Sequence, residues 1–128
     1  MTILPDTHLI LWAFGAPNRL SSTAAALIAD QENRIFFSAA TIWEVAIKSA
    51  LNKPGFNVDA AALRQGLLHN GYVELPITGA HTAYVRNLPL IHKDPFDRIL
   101  VAQATVEGIT LLTTDRKVAR YPGSIRKV

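Results

Sequence analysis

Short apolar runs alternate with longer amphipathic ones along this chain, and that alternation restricts its fold more than any other feature. The short runs are T-I-L-P (2–5), R-I-F-F-S (34–38), Y-V-E-L (72–75), I-T-L-L-T (109–113) and S-I-R-K-V (124–128), all of strand length. Between them the apolar residues recur at helical spacing. Helices are predicted over 8–14, from a Ser21 or Ser22 cap to Ala29, and over 41–51 before Pro54-Gly55. Others run from an Asp59 cap to about His69 before Gly71, from Thr78 to Asn87, and from Asp94-Pro95 to Glu107, closed by Gly108. A short helix is expected over 116–120, and the last run reads as an edge strand. Strands alternating with helices argue for an α/β domain with a mainly parallel central sheet covered on both faces. No repeat, low-complexity tract or long linker divides the chain, so one domain over 1–128 is expected.

In such folds ligands bind beyond the carboxyl ends of the strands. Four carboxylates fall there: Asp6 after the first strand, Glu44 in the helix after the second, Asp97 at the start of 95–107, and Asp115 after T-L-L-T. Asp97 shares a helical face with Leu100, Val101 and Ala104, where a carboxylate is costly unless compensated. In D-P-F-D, Asp94 reads as an N-cap, and Asp97 is either its capping-box partner or a site residue. Thr41, Glu44 and Lys48 make one polar stripe on an otherwise apolar helix. That stripe is either a solvated face carrying an i,i+4 pair or a site facing the sheet edge. Asp115 can cap the short helix that follows it, and Asp6 the first helix.

If these acids converge, they repel one another and need a cation. The chain has no cysteine, so the donors are oxygens, which suit a hard octahedral ion, Mg²⁺ or Mn²⁺. The hydroxyls of Thr7, Ser38, Thr113 and Thr114 lie at the same strand ends and can orient waters or carboxylates, though turns and caps also use them. The histidines lack metal-type spacing; His69 and His81 sit near helix ends, while His92 can approach the site from its loop. Trp12, Phe14, Trp43 and Phe96 are expected in the core or at a subunit contact.

Hydrophobic residues make up 49% and charged ones 18%, a globular composition. No apolar run is long enough to span a membrane, and the N-terminus carries no export signal. Together with the absence of cysteine, this fits a cytoplasmic protein. The net charge of +3 is concentrated in 116–127, which holds five of the 13 basic residues and no acid. Such an excess suits a polyanion only weakly.

The contexts D-T-H-L-I-L-W, S-A-A-T-I-W-E-V-A-I-K, D-P-F-D-R-I-L-V-A-Q-A and L-L-T-T-D-R, in this order and over nearly the whole chain, resemble the PIN-domain family. More narrowly they resemble the VapC-type ribonuclease toxins of toxin–antitoxin pairs. The resemblance implies a three-layer α/β/α sandwich whose acids bind Mg²⁺ or Mn²⁺ and cleave RNA. By position the acids are Asp6, Glu44, Asp97 and Asp115, with Asp6, Asp97 and Asp115 holding the metal and Thr113 matching the hydroxyl residue two before the last acid. Lys48, Arg98 and Arg116 are the candidates for RNA phosphates. The resemblance also implies homodimers and a small antitoxin that covers or enters the acidic pocket. The competing expectation is a module of the same fold that binds nucleic acid or a partner without turnover.

Overall fold

The computed structural model describes residues 1–128. Strands β1 (Thr2–Pro5), β2 (Arg34–Ser38), β3 (Val73–Leu75), β4 (Thr110–Thr113) and β5 (Ile125–Lys127) form one sheet in the order β3-β2-β1-β4-β5. Every neighbouring pair is parallel. Parallel strands need crossover connections and covered faces. Helices α1 (Thr7–Gly15), α2 (Ser22–Ala29), α3 (Ala39–Ala50), α4 (Ala60–His69), α5 (Gly79–Tyr84) and α6 (Pro95–Glu107) supply both.

Successive strand residues point to opposite faces, and the core follows that rule. Ile3, Ile35 and Leu112 turn to one layer, where they meet Leu9 of α1 and Ala24 of α2. Leu4 and Leu111 turn to the other, against Leu100, Val101 and Ala104 of α6. A third cluster of Ile10, Phe37, Val45, Leu63 and Leu67 joins α1, α3 and α4. The result is the three-layer α/β/α sandwich that the sequence pattern predicts.

Helix ends carry the expected signals. Ser21 caps α2, Asp59 caps α4, and Asp94 precedes Pro95 at the start of α6. Gly108 ends α6 at φ 68°, a left-handed conformation that a residue without Cβ adopts freely. Several boundaries differ from the sequence reading. Ser38 accepts from the Ala40 amide and so starts α3 two residues early. The predicted helix 78–87 is α5 followed by a 3-10 turn at Val85–Asn87. The predicted helix 116–120 shrinks to a 3-10 turn at Val118–Arg120, and a further turn forms at Pro17–Arg19.

The topology places the site. The chain builds outward from β1 through β2 and β3, then crosses to the other side of β1 to lay down β4 and β5. The strand order therefore reverses between β1 and β4. A crevice opens beyond the carboxyl ends of strands at such a switch point.

Candidate metal centre

Asp6 stands where β1 turns into α1. Its Oδ1 accepts from the Leu9 amide at 3.0 Å, capping the helix, and its Oδ2 accepts from the Thr113 hydroxyl at 2.7 Å. Burial nevertheless raises its pKa above the ordinary 3.8, against these hydrogen bonds. The same Thr113 oxygen accepts from the Asp115 amide at 3.0 Å. One hydroxyl at the end of β4 thus ties the acid after β1 to the acid after β4. Partial burial raises the pKa of Asp115, but the amides of Lys117 and Val118 and the nearby His92 outweigh it, and the net shift is downward.

Asp94 caps α6, its Oδ1 accepting from the amides of Phe96 at 2.8 Å and Asp97 at 3.4 Å. Asp97 does not return the bond, so the capping box is incomplete. The Asp94 amide donates instead to His92 Nδ1 at 3.3 Å. With Nδ1 accepting, the ring proton lies on Nε2, which is 3.1 Å from Asp97 Oδ2 and 3.3 Å from Asp115 Oδ2. The ligand atoms of His92, Asp97 and Asp115 all lie within 4.8 Å of one another. Desolvation first, then the charges of Asp94, Asp6, Glu44 and Asp115, push the Asp97 carboxyl up to about 7. Asp6, Asp94, Asp97 and Asp115 line one open cavity of about 490 Å³ at the switch point, with His8, Trp12, Arg19, His92 and Thr114.

Glu44 does not line this cavity, yet its charge reaches Asp97. The α3 stripe faces inward: Thr41 is fully buried and Glu44 is 4% exposed, whereas Trp43, expected in the core or at a subunit contact, is 58% exposed. Lys48 pairs with Glu44 and lies 4.9 Å from the Phe56 ring centre and 5.7 Å from that of Phe96.

Other residues nominated from sequence lie elsewhere. Thr7 bonds to Thr41 at 3.1 Å, linking α1 to α3 without touching an acid. Ser38 caps α3 and donates to Gln103 in the core. Arg98 is withdrawn from the pocket: its guanidinium donates to the Pro89 and Val85 carbonyls and to the Tyr121 hydroxyl, so its donors hold loops together. Arg116 is exposed beside Asp115. His92 entered the sequence reading only as a loop residue able to approach, and its bridging position depends on a fold that joins residues 23 apart. Nothing in the sequence singled out Arg19.

An all-parallel three-layer sandwich with carboxylates gathered at the switch point defines a class of acidic-pocket α/β domains. Within that class, the PIN domain model matches residues 3–124, and the chain belongs to the PIN-domain family. PIN domains are generally nucleases and typically use divalent metals. Solved structures with the same fold include a VapBC2 complex from Rickettsia felis bound to a DNA fragment from its promoter. That match has a TM-score of 0.73 at 16% identity, covering 99% of this chain and 98% of that one. A DNA-bound VapBC from Salmonella typhimurium gives 0.69 at 16% identity, with 99% and 98% covered. VapBC-1 from nontypeable Haemophilus influenzae gives 0.64 at 16% identity, with the same coverage. No curated protein sequence matches significantly.

Proposed function

We propose that residues 1–128 form a single metal-dependent endoribonuclease domain, the toxin of a toxin–antitoxin pair. The observation that carries this reading is the convergence of Asp6, Asp94, Asp97 and Asp115 on one open cavity, a crowding that, with burial and the charge of Glu44 behind, pushes the Asp97 carboxyl up to about 7. Negative charge concentrated in this way suits a divalent cation better than any feature of the fold itself. The donor set fits: the carboxylates of Asp6, Asp97 and Asp115 line one cavity, and oxygen donors suit Mg²⁺ or Mn²⁺. When bound, the ion supplies positive charge to the phosphoryl oxygens and favours ionisation of the attacking water.

The protein's own groups do the rest. Thr113 fixes the Asp6 carboxylate with its hydroxyl and Asp115 through the backbone. Glu44, held by Lys48 outside the cavity lining, completes the acidic cluster by adding negative charge behind Asp97. In-line attack on the phosphodiester would leave a 5′-phosphate and a 3′-hydroxyl. The structural relatives are VapBC complexes, two of them bound to DNA, which supports an antitoxin as partner; RNA as the substrate is what the resemblance to the VapC-type toxins implies. The outward apolar face of α3 and the Leu51 that follows it, with Trp43 58%, Ile47 36% and Leu51 62% exposed, supports a homodimer through that helix. The absence of any helix able to cross a membrane is compatible with action in the cytoplasm.

The test is expression of the chain alone, beside Asp6→Asn and Asp97→Asn, followed by incubation of the purified proteins with RNA and Mn²⁺. Growth arrest and RNA cleavage that either substitution abolishes are expected. Wild-type protein that leaves single-stranded and structured RNAs uncut favours the non-catalytic module, and arrest persisting in both variants removes the proposed site.

A further inference from the structure

A nuclease with an acidic pocket has an electrostatic problem: the pocket that gathers cations repels the strand it must cut. Cations at the rim solve it, and here they are few. Lys48 is paired with Glu44, Arg98 is spent on loop carbonyls, His92 bridges two carboxylates, and Arg116, exposed beside Asp115, does not line the cavity. Among residues lining the acidic cavity, Arg19 is the only lysine or arginine.

Arg19 is exposed and forms no ion pair, although it shares that cavity with Asp6, Asp94, Asp97 and Asp115. A flexible arginine there would be drawn onto the carboxylates. Instead its guanidinium carbon sits 4.8 Å from the centre of the Trp12 ring. Stacking on an aromatic face holds the planar group while leaving its N–H edge free for hydrogen bonds. The backbone beneath is fixed as well. The 3-10 turn Pro17–Arg19 is closed by the Arg19 amide on the Ala16 carbonyl at 2.9 Å, and the neighbouring Leu20 packs on the core.

Arg19, Trp12 and His8 also line a second cavity, of about 530 Å³, which runs between α1 and the loop around Pro54, Gly55 and Asn57. The two cavities therefore share one wall. A strand with its reacting phosphate over the acids would continue past Arg19 into this groove. We propose that Arg19, held over the Trp12 ring, binds a phosphate of the substrate strand next to the scissile one, and that the groove carries the adjoining nucleotides. Arg19 is then a substrate-binding residue and Trp12 the residue that positions it. The inference rests on the ribonuclease reading.

The test uses a fluorescein-labelled single-stranded 12-nucleotide RNA of mixed sequence. Cleavage kinetics are followed in Mn²⁺, and binding is titrated against salt on an Asp97→Asn background. Arg19→Ala is expected to raise KM about tenfold, the weight of one charge-assisted contact, with kcat within about twofold of wild type. The slope of log affinity against log salt should become shallower by about 0.7, one phosphate's counterion. Arg19→Lys, which keeps the charge, should retain the slope and recover part of the KM. Trp12→Phe should resemble wild type and Trp12→Ala should follow Arg19→Ala, with circular dichroism reporting the fold. An Arg19→Ala protein with wild-type KM and salt slope overturns the proposal and leaves the groove to a protein ligand. A loss in kcat alone also overturns it. Failure of the ribonuclease reading itself shows differently: the wild type neither cuts nor binds the RNA, and both inferences fall.

Discussion

Two polar clusters meet α6, one buried and one lining an open cavity, and they are built on opposite rules. Around His81, which is fully buried, every group is matched. Its Nδ1 accepts from the Thr78 amide at 3.0 Å, so Nε2 carries the proton and donates to Glu107 at 2.7 Å. Gln103 accepts from Ser38, and its amide nitrogen lies 3.4 Å from the Pro76 carbonyl. This network joins β2, α5 and α6 with its donors and acceptors used. At the other end of α6, carboxylates from β1, α6 and β4 crowd until one is pushed up to about 7. Hydrogen bonds are satisfied there too, but charge is not. A cluster complete in itself holds the fold, whereas one with surplus charge of a single sign has room for a partner.

The sharpest way to break this contrast is through activity. Asp6→Asn or Asp97→Asn is expected to lower kcat/KM for RNA by about a thousandfold or more, the scale of losing charge stabilisation in the transition state. Substitutions in the His81 network should leave the activity of the folded protein unchanged. Equal losses from both clusters would dissolve the distinction.

Stability should move in the opposite sense at the acidic end. The Asp97 carboxyl titrates near 3.8 when unfolded and about 7 when folded. Between these values the metal-free folded protein holds a proton that the unfolded chain has released, so stability falls as pH rises from about 4 to 7. The full penalty persists above that, up to about 4 kcal/mol. Urea unfolding in EDTA at pH 5 and pH 8 should show the loss, and Asp97→Asn should flatten it, giving a variant more stable than wild type at pH 8. Saturating Mg²⁺ should likewise reduce the loss in the wild type. A pH-independent wild type would contradict the surplus of charge.

At the satisfied end the expectation is ordinary destabilisation. Gln103→Ala strands the Ser38 hydroxyl and opens a small cavity, at a cost of about 2–3 kcal/mol by urea unfolding. An effect below about 1 kcal/mol would mean that the network is dispensable.

The two clusters were not equally legible in the sequence. The sheet, its parallel sense and most helix starts follow from local signals: apolar period, Asp94-Pro95, Gly108. Three of the acids were legible from local pattern, since Asp6 and Asp115 follow strands and Asp97 opens the helix that Asp94-Pro95 marks. Ser38 was read as a site hydroxyl because it also ends a strand, yet its hydroxyl turns to Gln103, 65 residues away. In the sequence His81 shows only as a residue near a helix end; it caps α5 within the core, where only tertiary packing puts Glu107 beside it. The Glu44 stripe remained open because a helix pattern shows that two faces differ, not which one is buried. Here the polar stripe turns inward and Trp43 outward. Arg98 and Arg19 follow the same lesson, since the reach of a long cation depends on neighbours distant in sequence.

Thr113 sharpens the comparison at its smallest scale. It is as buried as Gln103 and makes two good hydrogen bonds, so it could belong to either kind of cluster. Its hydroxyl donates to Asp6, whose pKa burial already raises. Removing that bond should raise it further and free the carboxylate to rotate. Thr113→Val keeps the shape and deletes the donor. It is therefore expected to weaken Mn²⁺ binding about tenfold by calorimetry, at the low end for a group that orients a metal ligand. Thr113→Ser should restore it, since the hydroxyl and not the methyl does the work. If Thr113→Val instead only destabilises the fold and binds Mn²⁺ as wild type does, the hydroxyl belongs with the His81 network as a strut. The acidic cluster would then hold its geometry through the backbone alone.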